Sequence, residues 1–521
     1  MIMTTSAFDI LGPIMVGPSS SHTAGALRIA QVARMFAPHE PQSVTFTLYE
    51  SFARTGRGHG TDRALVAGML GLETDDERVR TSFALADEAG LSYRFLTAED
   101  GEVTHPNTCD VLMEGDGWKT TVRGESLGGG RVRISRVNGV PVTLTGDYPT
   151  LFVEHQDKPG VLATLTALVS ASGTNIATMS TFRSRRGGTA YSVFELDADV
   201  ESWVVESLRH AANVTFATSI HVPGAPISAE NVTLRHPFST GAELLEVCER
   251  SGWPISQVMR EREHDLRPEQ DVDELMRAVY EAMCHEVTDT IEHPRRSLGG
   301  LLDGQAAAVA AGTEALAGGM LGPTLSQATA YAMAVLERSA NMGVIVAAPT
   351  AGSAGVIPGT VLAAASVAQM ESERIGAGLW TAAAVGALVA QNASVSGAEG
   401  GCQAEVGTAA AMAAAALAEM HGASPKTCLD AAAIVIANML GLVCDPVRGL
   451  VEYPCQLRNA AGVANAMSAA QLALSGIESP LPFDEVVEAM RQVGQALPAS
   501  LRETALGGLA AAPSACSACC R

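Results

Sequence analysis

GTAAAMAAAALAEM, residues Gly407 to Met420, is an alanine run broken by Met412 and Leu417, and alanine is the residue that propagates a helix at least cost. LDAAAIVIANMLGL, from Leu429 to Leu442, repeats the pattern. Working outward from these two runs, residues 238–521 predict an all-helical domain, interrupted by glycine-rich loops at PTAGSAGVIPG (Pro349 to Gly359) and SGAEGGCQAEVG (Ser396 to Gly407). Apolar residues make up 47% of the chain and aromatics only 4%, so its cores rest on small aliphatic side chains that let helix backbones approach closely. At 521 residues the chain is long enough for about three folded units.

Upstream, residues 150–222 change period. A strand at Leu151 to Glu154 precedes a helix from Pro159 with Val161, Leu165 and Leu168 at helical spacing. Two strands flank the turn Arg185 to Gly188, a helix carries Trp203, Val204 and Leu208, and a last strand alternates Val214, Phe216, Thr218 and Ile220. The order is β-α-β-β-α-β, and with the loop Asp157, Lys158, Pro159, Gly160 it resembles a ferredoxin-like ACT domain, a module that usually senses an amino acid. Residues 223–237 read as a linker. Residues 1–149 read as an α+β domain, with a strand from Ser43, a helix from Arg63 and a glycine turn at Gly128 to Gly130 between β-like runs. The chain is thus expected to be multidomain.

The formal charge of −22 repels phosphate backbones and anionic headgroups, so neither nucleic acid nor a membrane is an expected partner. The opening MIMTTSAFDILGPI lacks the basic start of a signal peptide, and the longest apolar stretch, Ile375 to Ala390, falls short of a membrane span. A cytoplasmic enzyme is expected. Ten cysteines are too sparse for a disulfide scaffold and point to metal binding, catalysis or core packing.

Cys402 sits in a glycine loop before a helix, and Cys444 and Cys455 bracket CDPVRGLVEYPC. Forty-two and eleven positions separate them, too open for a zinc ribbon. Three loop thiolates suit an iron-sulfur cluster with one iron left for substrate, although buried core cysteines would show the same spacing. The local sequence weighs further. GCQAEVGTAAAMAAA, CDPVRGLVEYPC with RNAAGVANA after it, PTAGSAGVIPG, and the distant GPSSSHTAG closely resemble the bacterial iron-sulfur L-serine dehydratases, over nearly the whole chain. The resemblance implies that Cys402, Cys444 and Cys455 bind a 4Fe-4S cluster, that L-serine is converted to pyruvate and ammonia, and that the ACT segment takes an amino-acid effector. A homodimer is the expected assembly. Ala354 departs from the family at a position where many relatives place a cysteine, and the departure puts no proposed ligand in doubt.

Loss of water from serine requires removal of a weakly acidic α-proton and departure of a poor leaving group, hence a base and a Lewis acid. His22 in SSSHT and His59 in GRGHG are the candidate bases, and the resemblance places both in loops facing the cluster. Ser19, Ser20, Ser21 and Thr23 are candidates to hydrogen-bond the substrate carboxylate or to cap the helix beginning near Ala24, the cap being the expected role of Ser19 and Thr23. Thr350, Gly352 and Ser353 precede another helix and are candidates to receive the substrate carboxylate through amides and hydroxyls, or form an ordinary glycine-rich connection. Asn392 and Glu405 flank Cys402 and are candidates to orient the ammonium, or are internal hydrogen-bond partners.

Cys109, Cys248, Cys284 and Cys428 read as core fillers. Cys516, Cys519 and Cys520 lie in a polar tail that cannot bury them by its own folding; they are candidates to place a soft thiolate on a vacant iron, or form a disordered end or oxidise with one another. Three rivals stand beside the serine reading. Pyridoxal-phosphate chemistry needs an active-site lysine, and Lys119, Lys158 and Lys426 sit in no cofactor motif. An iron-sulfur L-cysteine desulfidase resembles the helical part alone. A non-enzymatic sensor or electron carrier would need no open iron.

Overall fold

Strand-forming and alanine-rich segments separate along the chain, and each builds its own core. The computed structural model describes residues 5–98, 103–146, 148–222, 232–315 and 319–517. It divides into two compact units, one of residues 1–20, 75–77 and 229–521, the other of residues 21–74 and 78–228.

Its strands are β1 Ile14–Val16, β2 Ser43–Leu48, β3 Ser92–Thr97, β4 Thr108–Gly115, β5 Trp118–Gly128, β6 Arg131–Val137, β7 Val140–Leu144, β8 Thr150–Gln156, β9 Ile176–Arg183, β10 Thr189–Leu196, β11 Val214–Ile220 and β12 Val344–Val346. In the mixed unit, one sheet runs β3-β2-β4-β5-β6-β7, antiparallel except for the β2–β3 pair. Helix Gly25–Arg34 lies on this sheet because Gly124 leaves room for Ile29, and helix Thr61–Met69 lies beside it because a Cβ at Gly68 would collide with the Leu27 carbonyl. That pairing matters for chemistry: His22 stands just before the first helix and His59 just before the second.

The second sheet of this unit runs β11-β8-β10-β9, all antiparallel, with helices Val161–Ser170 and Ser202–Arg209 between its strands in sequence. Leu151, Val153, Val161, Leu165, Val169, Phe194, Val204 and Leu208 form its core. The expected alternation in β11 does not hold along its length. A register shift between Val214 and Phe216 brings Ala217 into the core, fully buried, and leaves Phe216 half-buried.

In the other unit, helix Thr408–Met420 is central, packed by helices Ser372–Asn392, Pro425–Met439, Cys455–Leu474 and Val356–Ala368. Every residue of the central helix except Glu419 is buried, which explains its alanines: four neighbours at this distance leave no room for larger side chains. At Gly378 a Cβ would stand 2.7 Å from Met420 Cγ, so the close crossing also needs that glycine. Two expectations for this region change. It is not wholly helical, because β12 pairs antiparallel with β1, and that pairing draws residues 1–20 into the helical unit. Among the described residues the stretch long and apolar enough to cross a membrane is Ala351–Ala368 rather than Ile375 to Ala390, and 78% of it is buried inside the protein. Of the linker expected over 223–237, residues 223–231 lie outside the described residues.

Candidate active site

The helical unit gathers the three cysteines through three different backbone devices. Cys402 follows Gly401, whose φ of 74° lies in the left-handed region and whose missing Cβ would stand 2.8 Å from the Leu442 carbonyl. A single π-helical turn, Gln403–Gly407, then leads into the central helix, and Gln403 N donates to Leu442 O at 2.9 Å. Cys444 is clamped at both backbone groups: its N–H donates to Leu501 O at 2.9 Å and its carbonyl accepts from Glu503 N at 2.8 Å. Cys455 opens helix Cys455–Leu474, and the preceding Glu452 accepts from Gly299 N and Leu301 N at 2.7 and 2.9 Å.

All three cysteines are buried. Ligand atoms of Cys402, Glu405 and Cys444 lie within 4.8 Å of one another. Gly397 makes this possible, since a Cβ there would stand 2.6 Å from Glu405 Oε2 and 3.2 Å from Cys444 Sγ. Cys455 lies outside that tight group yet close enough for the charges of Cys402 and Glu405 to raise its thiol pKa, with burial as the larger cause. Of these three thiols Cys402 ionises most readily, because Cys444 donates to it and Arg458 stands beside it, against the cost of burial. Cys444 is correspondingly held in its protonated form by that same hydrogen bond and by burial. Burial and the Cys402 charge push the Glu405 carboxyl up to about 8.

A set of soft thiols, buried, with the next ionisations opposed by burial and like charge, fits a cationic iron-sulfur centre better than an oxygen-seeking ion. The three cysteines are the residues that would hold it.

The substrate-binding candidates divide. Thr350 Oγ1 donates to Glu405 Oε1 at 2.9 Å, and a Cβ at Gly352 would stand 3.3 Å from the same oxygen, so this loop abuts the cysteine group. Ser353 Oγ donates to Ala348 O at 3.1 Å and braces the loop. Asn459 ties Gly352 to the Cys455 helix, donating to Gly352 O at 2.8 Å and to Cys455 O at 2.9 Å. The Asn392 amide nitrogen is committed to the backbone, donating to Ser239 O and Leu388 O, each at 2.8 Å.

In the mixed unit, His22 and His59 occupy short helical turns rather than open loops, the π turn Ser20–Ala24 and the 3-10 turn Gly56–His59. Their rings are 4.6 Å apart between centroids. Two reciprocal bonds fix the pair: Thr23 Oγ1 donates to His59 O at 2.7 Å and Thr61 Oγ1 to His22 O at 2.8 Å. Thr23 is therefore not a helix cap, and the helix after it, capped at Ala24, has no side-chain cap bond. Ser19 and Ser20 are buried. His22 Nδ1 meets Ser21 Oγ and its Nε2 meets Ser51 Oγ, both at 2.9 Å. Both nitrogens of His59 are buried and neither meets a side-chain partner, the Thr55 backbone being the polar group that acts on the ring. Burial lowers the His59 pKa to about 4 against the opposing pull of the Thr55 backbone, and lowers that of His22 well below its usual value with help from His59 and His105.

Ser51, Thr61, Arg458, Asn459 and Glu503 were not singled out by sequence reasoning. Of these only Arg458 and Asn459 carried a signal, lying in RNAAGVANA three and four residues after Cys455, one helical turn away. The tail cysteines divide: Cys516 belongs to helix Pro513–Ser517, which packs against the turn Val447–Gly449, while Cys519 and Cys520 lie outside the described residues. The lysines serve the scaffold: Lys119 pairs with Glu114, Lys158 donates to Asn213, and Lys426, in the first turn of a helix, pairs with Asp430 and Glu478.

Comparison with known proteins gives a consistent picture. The family profile for the serine dehydratase alpha chain matches residues 250–510, that for the beta chain residues 6–121, and that for the ACT domain residues 149–212. An L-serine dehydratase of Streptomyces coelicolor is 33% identical over 520 residues, covering 98% of this chain and 99% of that protein. The probable L-serine dehydratase alpha chain of Bacillus subtilis is 46% identical over 53% of this chain and 92% of its own length. The L-serine dehydratase beta chain of Peptoniphilus asaccharolyticus is 42% identical over 40% of this chain and 91% of its own.

Proposed function

The chain belongs to the L-serine dehydratase family, and from that premise we propose that it is an L-serine ammonia-lyase, forming pyruvate and ammonia with a 4Fe-4S cluster on Cys402, Cys444 and Cys455. The observation that carries the cofactor reading is the gathering of buried Cys402 and Cys444 with half-buried Glu405, and with Cys455 beside them at a helix start. When bound, such a cluster supplies Lewis acidity for departure of the β-hydroxyl.

The remaining work falls to side chains. The Thr350–Ser353 turn is assigned the substrate carboxylate, with Thr350 and the Gly352 backbone as the binding groups and Ser353 as the brace that holds the turn. Glu405 is assigned the ammonium, whose positive charge favours the ionised form of a carboxyl that burial and the Cys402 charge otherwise hold up at about 8. Asn392, committed to two carbonyls, is assigned to the scaffold. The proton steps are assigned to His22 and His59. An unprotonated imidazole accepts a proton, and burial keeps both rings in that form. His59, whose ring nitrogens no side chain holds, is assigned as the acceptor, while Ser21 and Ser51 orient His22. Ser20 lines the same turn, and Ser19 precedes it.

Residues 1–149 and 238–521 are assigned to catalysis, and residues 150–222 to regulation by a small amino acid. Assembly as a homodimer in the cytoplasm completes the reading. A thiolate of Cys516, Cys519 or Cys520 is assigned to the substrate position of the resting enzyme, an idea supported by the packing of helix Pro513–Ser517 on the turn between Cys444 and Cys455.

Purification without oxygen, iron and sulfide assay, a visible spectrum and parallel assays of L-serine and L-cysteine test the proposal together. Pyruvate from L-serine in proportion to iron content is expected. A cluster-loaded protein that releases sulfide from L-cysteine and leaves L-serine untouched would overturn it.

A further inference from the structure

Arg458 lies three residues into the helix that Cys455 opens, and its guanidinium spans the other two cysteine segments. Nη1 donates to the carbonyl of Val443, the residue before Cys444, at 2.7 Å, and stands 3.5 Å from Cys402 Sγ. Nη2 donates at 2.6 Å to Oδ1 of Asp445, the residue after Cys444. One side chain thus touches a cysteine sulfur and both neighbours of a second cysteine, from the first turn of the helix that carries the third. Asp445 is itself anchored, its Oδ2 accepting from Leu509 N at 2.7 Å. Both side chains are largely withdrawn from water, 14% and 3% exposed, so the pair is not loosened by solvent.

We propose that Arg458 is a positioning residue for the iron-sulfur cluster, holding the Cys402 sulfur in place and setting the cluster's reduction potential and its retention by the protein. This deepens the reading of Cys402, Cys444 and Cys455 as cluster ligands and rests on it. A hydrogen bond to a ligating sulfur withdraws electron density from it, and a fixed positive charge beside the cluster favours the reduced state, so both raise the potential. Only a planar fork with five donors reaches a sulfur, a carbonyl and a carboxylate at once. A lysine at this position keeps the charge and loses most of the geometry.

The test reconstitutes the wild-type chain, Arg458→Met and Arg458→Lys with iron and sulfide under argon. Iron retained against a chelator and the midpoint potential, from a redox titration followed by electron paramagnetic resonance, are then measured. Retention should fall about 10- to 100-fold in Arg458→Met, the range found when partners of metal ligands are removed. Its midpoint should become more negative. Arg458→Lys should lie between the two, and it carries the test if Arg458→Met does not fold. Iron loss without movement of the midpoint marks structural damage and overturns the proposal, as does wild-type behaviour of both variants. Either result leaves the three-cysteine assignment standing, whereas a wild-type chain that takes up no iron and sulfide overturns both.

Discussion

Acidification should cost the mixed unit a measurable share of its stability through His59. The folded pKa of His59 is about 4 against an ordinary 6.5. Because the folded value is the lower one, the unfolded chain binds the extra proton. The contribution is complete above about pH 6.5 and is lost as pH falls toward about 4. The difference between about 4 and 6.5 corresponds at the limit to about 3 kcal/mol, and between pH 7 and pH 5 to about 2 kcal/mol. The perturbation is His59→Gln, which removes the titration. The assay is amide hydrogen exchange of the slowest sites in helix Thr61–Met69, which belongs to the same unit and reports its opening free energy. Wild type should lose about 2 kcal/mol more than His59→Gln between the two pH values. Equal losses within about 0.5 kcal/mol would show that His59 is solvated and freely titrating, and would remove the basis for its role as a buried neutral base.

Alanine at Cys402, Cys444 or Cys455 should abolish the visible absorbance and pyruvate formation together, and a triple variant with full activity would refute the ligand set. Deleting residues 150–222 from a soluble, cluster-loaded enzyme should change sigmoidicity or effector response, with a coupling of about 1 to 3 kcal/mol at stake; an unchanged effector curve contradicts a regulatory role. A chain ending at Ala512, or carrying serine at positions 516, 519 and 520, should lose the slow activation expected on serine addition and become more sensitive to oxygen. Identical progress curves and air stability at matched iron content would rule out the tail as an internal ligand.

What could be read from the sequence was local. The alanine run at Thr408–Met420 announced a helix with close neighbours, and the cysteine loops announced themselves by their glycines and prolines. The β-α-β-β-α-β order over 150–222 was visible because each element there has a clean period. Features that depend on distant partners were not visible. A three-residue strand such as Ile14–Val16 has no period to read, and its partner Val344–Val346 lies far along the chain. The bulge in β11 exchanges Phe216 for Ala217 in the core, a swap that alternating hydrophobicity cannot announce. Thr23 looked like a cap because caps are the common fate of threonine before a helix, but the His59 carbonyl, brought near by the contact at Gly68, competes for its hydroxyl. The clamp on Cys444 by Leu501 and Glu503 likewise has no local signature.

The central claim is that three cysteines hold a cluster whose remaining iron meets L-serine. Its most direct test is a Mössbauer spectrum of the chain reconstituted with enriched iron, recorded before and after L-serine is added. The account predicts that about one quarter of the iron signal, the part not held by Cys402, Cys444 or Cys455, shifts on serine addition while the rest stays in place. A spectrum indifferent to serine, or one in which every iron carries four sulfur ligands throughout, would contradict it.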